Sequence, residues 1–182
     1  MPDAALGRAL LAQARAAIAG RLGVDIAAPP EHPRLSAPGA TFVTLTQQGD
    51  LRGCIGSLEA YRSLREDVRE NACAAAFHDR RFDPLTRAEF ADTEVEVSLL
   101  GPAETMQVAG ESDLLQQLRA GQDGLILSFE GRRATFLPQV WESLPVPGDF
   151  VRHLKRKAGL AENFWSDAMH FARYGVSKWK QF

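Results

Sequence analysis

Apolar positions recur at helical spacing through Leu6, Leu10, Leu11, Ile18 and Leu22, bracketed by Asp3 as a cap and Gly23 as a stop. This predicts a first helix. Residues 27–39 are too proline-rich for regular structure and read as an ordered loop or wrapping arm. The next segment, Ala40 to Thr46, alternates and is β-branched; Gln48-Gly49-Asp50 turns, and Leu51 to Leu58 returns, which predicts a hairpin.

Ser63-Leu64-Arg65-Glu66 is a capping box for a helix reaching about Phe77, and Thr86-Arg87-Ala88-Glu89 is a second box, predicting a short helix. From Thr93 to Leu100, Glu94, Glu96 and Ser98 alternate with Val95, Val97 and Leu99, the pattern of a strand with one wet face. A short helix is expected over Ser112 to Ala120. A hairpin follows from Leu125 to Leu137, turning at Glu130-Gly131. Pro138 suits the start of a short helix with Val140 and Trp141. Asp149 starts another that ends at Gly159, and Met169 to Trp179 reads as one closing strand.

Hairpins and helices mix without regular strand–helix alternation. The expected fold is therefore α+β, with a mainly antiparallel sheet flanked by helices. The 182 residues suffice for one sizeable domain or two interleaved lobes, and the break near 101–111 is the candidate boundary between lobes.

Composition narrows the partners. A net charge of −2 gives no global attraction to nucleic acid or to an anionic membrane. No apolar run reaches the ~18 residues of a membrane span. The first residues lack a signal-peptide pattern, and two cysteines, Cys54 and Cys73, do not suggest a secreted disulfide scaffold. A reduced, cytoplasmic protein is the expectation.

The candidate chemistry centres on Leu51-Arg52-Gly53-Cys54-Ile55-Gly56. In an extended strand Arg52, Cys54 and Gly56 share one face, and Leu51, Gly53 and Ile55 share the other. A guanidinium beside a sulfur favours thiolate, which is the nucleophile and the metal ligand, and flanking glycines leave room for close approach. Cys54 and Arg52 are thus catalytic candidates, with Gly53, Ile55 and Gly56 as binding candidates. The competing readings are a small buried thiol packed under the strand for Cys54 and a salt bridge for Arg52. Cys73, four residues before Phe77 in an alanine-rich helix, reads as core.

His78, Asp79 and Asp83 form either a base with its carboxylates, a set of metal ligands, or simply a helix C-terminus. No metal-ligand spacing appears, and no cofactor is expected from this chain. The basic run Arg152-His153-Leu154-Lys155-Arg156-Lys157 reads as the solvated side of an amphipathic helix. Gly53-Cys54-Ile55-Gly56 also matches a nucleic-acid backbone clamp, but that clamp joins helices rather than strands.

The chain resembles the AMMECR-one domain family, in prokaryotes often called AmmeMemoRadiSam system protein A. The resemblance is carried by the Leu51–Gly56 motif, then Asp67-Val68, Asn71-Ala72, Ala74 to Phe77, Arg81-Phe82 and Pro84-Leu85-Thr86. Val95 to Leu100, Gly124 to Leu127, Phe136 to Trp141 and Lys157 to Leu160 continue it in family order. The resemblance implies a two-lobed α+β domain over residues 1–182, with the cysteine motif lining a cleft between lobes. It also implies association with a Memo-like protein and a radical-SAM enzyme. It assigns His78 no role and settles no reaction.

Three functions are therefore expected. One is a small enzyme or enzyme component presenting Cys54 to an unknown small ligand. Another is an accessory protein docking on those partners. The third, an RNA-associated protein, would bind through residues 152–157.

Overall fold

The structure is a computed structural model and describes residues 1–181. It is an α+β fold with two four-stranded sheets in the orders β2-β1-β3-β8 and β4-β7-β5-β6. The chain divides into two compact units, Met1–Leu100 with the segment from Ser177, and Gly101–Val176.

In the first unit α1 (Ala4–Leu22) starts where the Asp3 carboxylate accepts the Ala5 and Leu6 amides. It stops at Gly23, whose φ of 68° is left-handed. The proline-rich segment holds a 3₁₀ turn at Pro33–Ser36 that buries Leu35. The strands β1 (Thr41–Gln47) and β2 (Asp50–Gly56) form the expected hairpin, with Gln48 and Gly49 at positive φ in its turn. Helix α2 (Leu64–Phe77) begins with both halves of the Ser63–Glu66 capping box in place. Strand β3 (Glu94–Leu100) pairs antiparallel with β1, and β8 (Val176–Lys180) lies beside β3.

One face of this sheet buries Val43, Leu45, Val95 and Val97 against α1 and α2. On the opposite face, Lys178 and Lys180 of β8 pair with Glu96 and Glu94 of β3, at 3.6 and 3.1 Å. The wet face read from the alternation of β3 is therefore a face of cross-strand ion pairs.

In the second unit, β5 (Gly124–Phe129) and β6 (Arg132–Phe136) form the expected hairpin, and β7 (His170–Tyr174) pairs with β5 on its other side. A short strand, β4 (Glu104–Met106), completes the sheet, with α3 (Glu111–Gln117) following it. Helix α4 (Pro147–Lys157) places Phe150 and Leu154 in a core with Leu125, Leu127 and Phe171. The Trp141 ring stacks on Phe150 with centroids 3.9 Å apart.

Three expectations change. The second capping box is real, since Thr86 N–H and Oγ donate to Glu89 Oε2 at 2.8 and 3.0 Å, but a turn and a 3₁₀ helix at Phe90–Asp92 follow it rather than an α-helix. The single closing strand is two, separated at Gly175 and joining different sheets. Lys155, read as solvated, has a fully buried side chain that donates to Glu111 at 2.8 Å.

Candidate functional site

The motif does not alternate as an ideal strand would. Along the β1–β2 pairing Leu45 faces Gly53 and Thr46 faces Leu51, so Arg52 is an extra residue in a β-bulge. The bulge shifts Leu51 onto the face of Thr46, Thr44 and Cys54, and takes Arg52 out of register with Cys54. Gly53 and Ile55 oppose Leu45 and Val43, on the face that packs against the helices.

The two glycines are needed for packing within the protein. A Cβ on Gly53 would lie 2.1 Å from the Ala75 carbonyl oxygen of α2, and one on Gly56 would lie 2.2 Å from the Phe42 ring. The protein itself fills the space left by the absent side chains. Ile55 is part of the packing around the first core.

Cys54 is half-buried. Its Sγ lies 3.3 Å from Thr44 Oγ1, its cross-strand partner on the face opposite α1 and α2. Because β2 is an edge strand, the Cys54 N–H points away from β1, and Asp79 Oδ2 accepts it at 3.0 Å. Asp79 is itself bound by Arg81, whose Nε and Nη2 donate at 3.0 and 2.7 Å. These guanidinium bonds, with the Cys54 and Arg81 amides, hold the Asp79 carboxyl far below the usual carboxylate range. Arg81 is raised by the same bonds, and the shared Asp79 carboxylate links it to the Cys54 amide.

Arg52 serves elsewhere. Its Nε and Nη2 donate to the Glu89 carboxylate at 3.0 and 3.3 Å, as the salt-bridge reading expected. That pairing, with the Thr86 bonds, lowers Glu89 to about 2. The Arg52 Nη1 is buried without a hydrogen-bond partner. Beside it an open depression of about 420 Å³ is lined by Gln47, Asp50, Glu89 and Asp92, among others. The Phe82 ring lies between the two arginine roles, 6.0 Å from the Arg52 guanidinium carbon and 5.4 Å from that of Arg81.

Immediately after the motif, Ser57 joins a buried polar node. The Asp67 carboxylate, with no exposed surface, accepts from Ser57 Oγ at 2.6 Å, Arg62 Nε at 2.9 Å, and Thr41 N and Oγ1 both at 2.7 Å. Asn71, one turn along α2, donates to it at 3.0 Å and to the Thr41 carbonyl at 3.0 Å. This node ties the start of β1 and the end of β2 to α2.

The remaining candidates stay apart. His78 is the exposed C-cap residue of α2, and no group of metal-ligating side chains forms among the described residues. Cys73 sits half-buried on α2, where burial pushes its thiol up. In the basic run, Arg152 pairs with Asp149, Arg156 with Glu162, and Lys157 donates to the Thr135 carbonyl at 3.0 Å.

The AMMECR1 family model matches residues 11–179. The chain belongs to the AMMECR1 family. It is 33% identical over 140 residues to a protein of Methanococcus aeolicus, covering 73% of this chain and 68% of that one. It is 38% identical over 131 residues to Protein MJ0810 of Methanocaldococcus jannaschii, covering 68% of this chain and 63% of that one. The crystal structure of uncharacterized protein PH0010 from Pyrococcus horikoshii superposes with a TM-score of 0.83 at 29% identity, covering 96% of this chain and 91% of that one.

Thr44, Asp67, Glu89 and Arg81 were not singled out by the motif, although three of them carry sequence signals. Asp67 and Arg81 lie in runs that carry the sequence resemblance, and Glu89 closes a capping box. No helix among the described residues is long and apolar enough to cross a membrane.

Proposed function

We propose that this AMMECR1-family protein presents Cys54 as a reactive or ligand-binding thiol and works as a small cytoplasmic enzyme or enzyme component. One observation carries the reading. The neighbours Gly53 and Ile55 are taken up by core packing, whereas Cys54 is half-buried on the other face, its Sγ 3.3 Å from Thr44 Oγ1 and its amide held by the Asp79 carboxylate that Arg81 pairs. Thiolates are nucleophiles and soft ligands, and a half-buried thiol not taken up by the core suits either use.

The test is competitive labelling with iodoacetamide near neutral pH, followed by peptide mass analysis. Cys54 reacts faster than Cys73, whose thiol burial disfavours as an anion. Equal and very slow labelling of both sites defeats the proposal. Ligand capture on the wild-type protein, with Cys54→Ser as control, then identifies what the thiol meets.

A second reading, an accessory that docks on a Memo-like or radical-SAM partner, is favoured by Leu58 and Tyr61. These side chains are 41% and 70% exposed just beyond the motif. Co-purification lost on changing both to serine supports it. Partner capture that survives the change removes these residues from the contact.

A further inference from the structure

Of the four edge strands among the described residues, β2 alone has a second half without a guard of its own. β8 carries Lys178 and Lys180. β6 carries Arg132 and Arg133, and Lys157 donates to its Thr135 carbonyl at 3.0 Å. β4 spans only Glu104–Met106. Lysines, short strands and covering loops blunt sheet edges, because a bare edge pairs with another chain. From Gly53 to Leu58 this chain has no charged residue and no proline.

The guard comes from outside the sheet. In antiparallel pairing alternate residues turn their backbone groups inward and outward. The Ser57 N–H turns in to the Thr41 carbonyl at 2.9 Å, so Gly56 and Cys54 turn out. Asp79 Oδ2 accepts the outward Cys54 N–H at 3.0 Å. The Asp79 side chain is 5% exposed and is held by Arg81 N, Nε and Nη2 at 3.1, 3.0 and 2.7 Å. Among the described residues no loop or side chain meets the Gly56 N–H or the Cys54 carbonyl. The edge is closed at one amide and open beside it.

That edge is complementary to itself. A two-fold axis at Ile55 sets Cys54 opposite Gly56 of a second copy, and each such pair exchanges two backbone bonds. Two of the resulting four bonds use the Cys54 N–H that Asp79 occupies. Over residues 52–58 the only charged side chain is Arg52, which falls opposite Leu58, so no like charges meet.

We propose that Asp79, fixed by Arg81, is an edge guard that keeps β2 from pairing with a second copy of this chain. The guard acts through the Cys54 amide and is independent of any reaction at the thiol.

Sedimentation velocity over a concentration series tests it, with amide hydrogen exchange to locate the contact. Asp79→Ala raises the self-association constant about 10- to 100-fold over the wild type, the worth of two regained hydrogen bonds. The Gly56 amide exchanges fast in the wild type and becomes protected in Asp79→Ala as concentration rises. Asp79→Asn keeps an oxygen at the Cys54 amide and associates like the wild type. Asp123→Ala is the control for general loosening. Asp123 is also a buried carboxylate held by the amide and guanidinium of one arginine, Arg119, but it caps no edge strand. Its variant associates like the wild type.

A folded Asp79→Ala protein, checked by circular dichroism, that associates no more than the wild type overturns the guard. Association without protection of the Gly56 amide, or equal association of Asp123→Ala, overturns it as well. If Asp79→Ala does not fold, Asp79→Ser, whose shorter side chain draws back from the amide, provides the same comparison.

Discussion

Arg52 and Glu89, 37 residues apart, close a two-pronged ion pair with Nε and Nη2 at 3.0 and 3.3 Å from the carboxylate oxygens. The pair anchors the β-bulge of the motif to the turn before β3, and its side chains are 13% and 31% exposed. Glu89 titrates at about 2 in the folded protein against an ordinary 4.5, so folding favours its charged form. This contribution is complete above pH ~4.5 and disappears as pH falls toward 2. Glu89→Gln is expected to lower stability at neutral pH by about 1–2 kcal/mol. It should also flatten stability between pH 5 and about 3 relative to the wild type. Urea unfolding at several pH values measures both, and parallel curves for the two proteins contradict the assignment.

Gly53→Ala is expected to be more damaging than Gly56→Ala. The added methyl at position 53 meets the Ala75 carbonyl of α2, which moves only if the helix moves. At position 56 it meets the Phe42 ring, a half-buried side chain with somewhere to turn. Overpacking against backbone costs about 2–3 kcal/mol or more. Thermal melting of the two variants decides the order, and Gly53→Ala melting with the wild type would mean the β2–α2 approach is looser than described.

The elements that show their pattern locally were legible in the sequence. The alternation of β3 and the two hairpin turns each rest on a few adjacent residues, and so does the capping box of α2. β4 was not, because Glu104–Met106 is too short for a period. Gly175 gave no sign that the strands on its two sides serve different sheets. The site was half legible. Cys54 stood out, but the bulge that takes Arg52 out of register depends on cross-strand pairing, and Glu89 is a long-range partner. Asp79 reaches the Cys54 amide only because a loop after α2 covers the strand edge. Charge patterning misread Lys155, since an ion pair to α3 does not show in the composition of α4.

The Asp67 node predicts a large loss for a small change. Asparagine is nearly isosteric, but its amide nitrogen faces donors whichever oxygen it replaces: Thr41 and Asn71 at Oδ2, or Ser57 and Arg62 at Oδ1. Asp67→Asn is therefore expected to cost about 3 kcal/mol or more, through the unpaired buried groups it creates. Denaturant midpoints measure this. A loss below 1 kcal/mol would show that water replaces the missing acceptor.

Lys155 and Glu111 give the sharpest test of an ion pair across elements. The lysine side chain is fully buried, with Nζ 2.8 Å from Glu111 Oε1 and 3.1 Å from the Glu162 carbonyl, while Glu111 is 36% exposed. Removing the carboxylate strands an ammonium that cannot reach water, so Glu111→Gln is expected to cost about 2–3 kcal/mol. Lys155→Met removes the charge together with its need for a partner and keeps the apolar stem, so it should cost less. In Lys155→Met the Glu111 carboxylate stays solvated, and adding Glu111→Gln there should cost little. The double change then costs less than the sum of the two single losses, so the double-mutant cycle yields a coupling opposite in sign to those losses. Equal losses from the two single changes, adding without coupling, would show that the burial of Lys155 does not depend on Glu111.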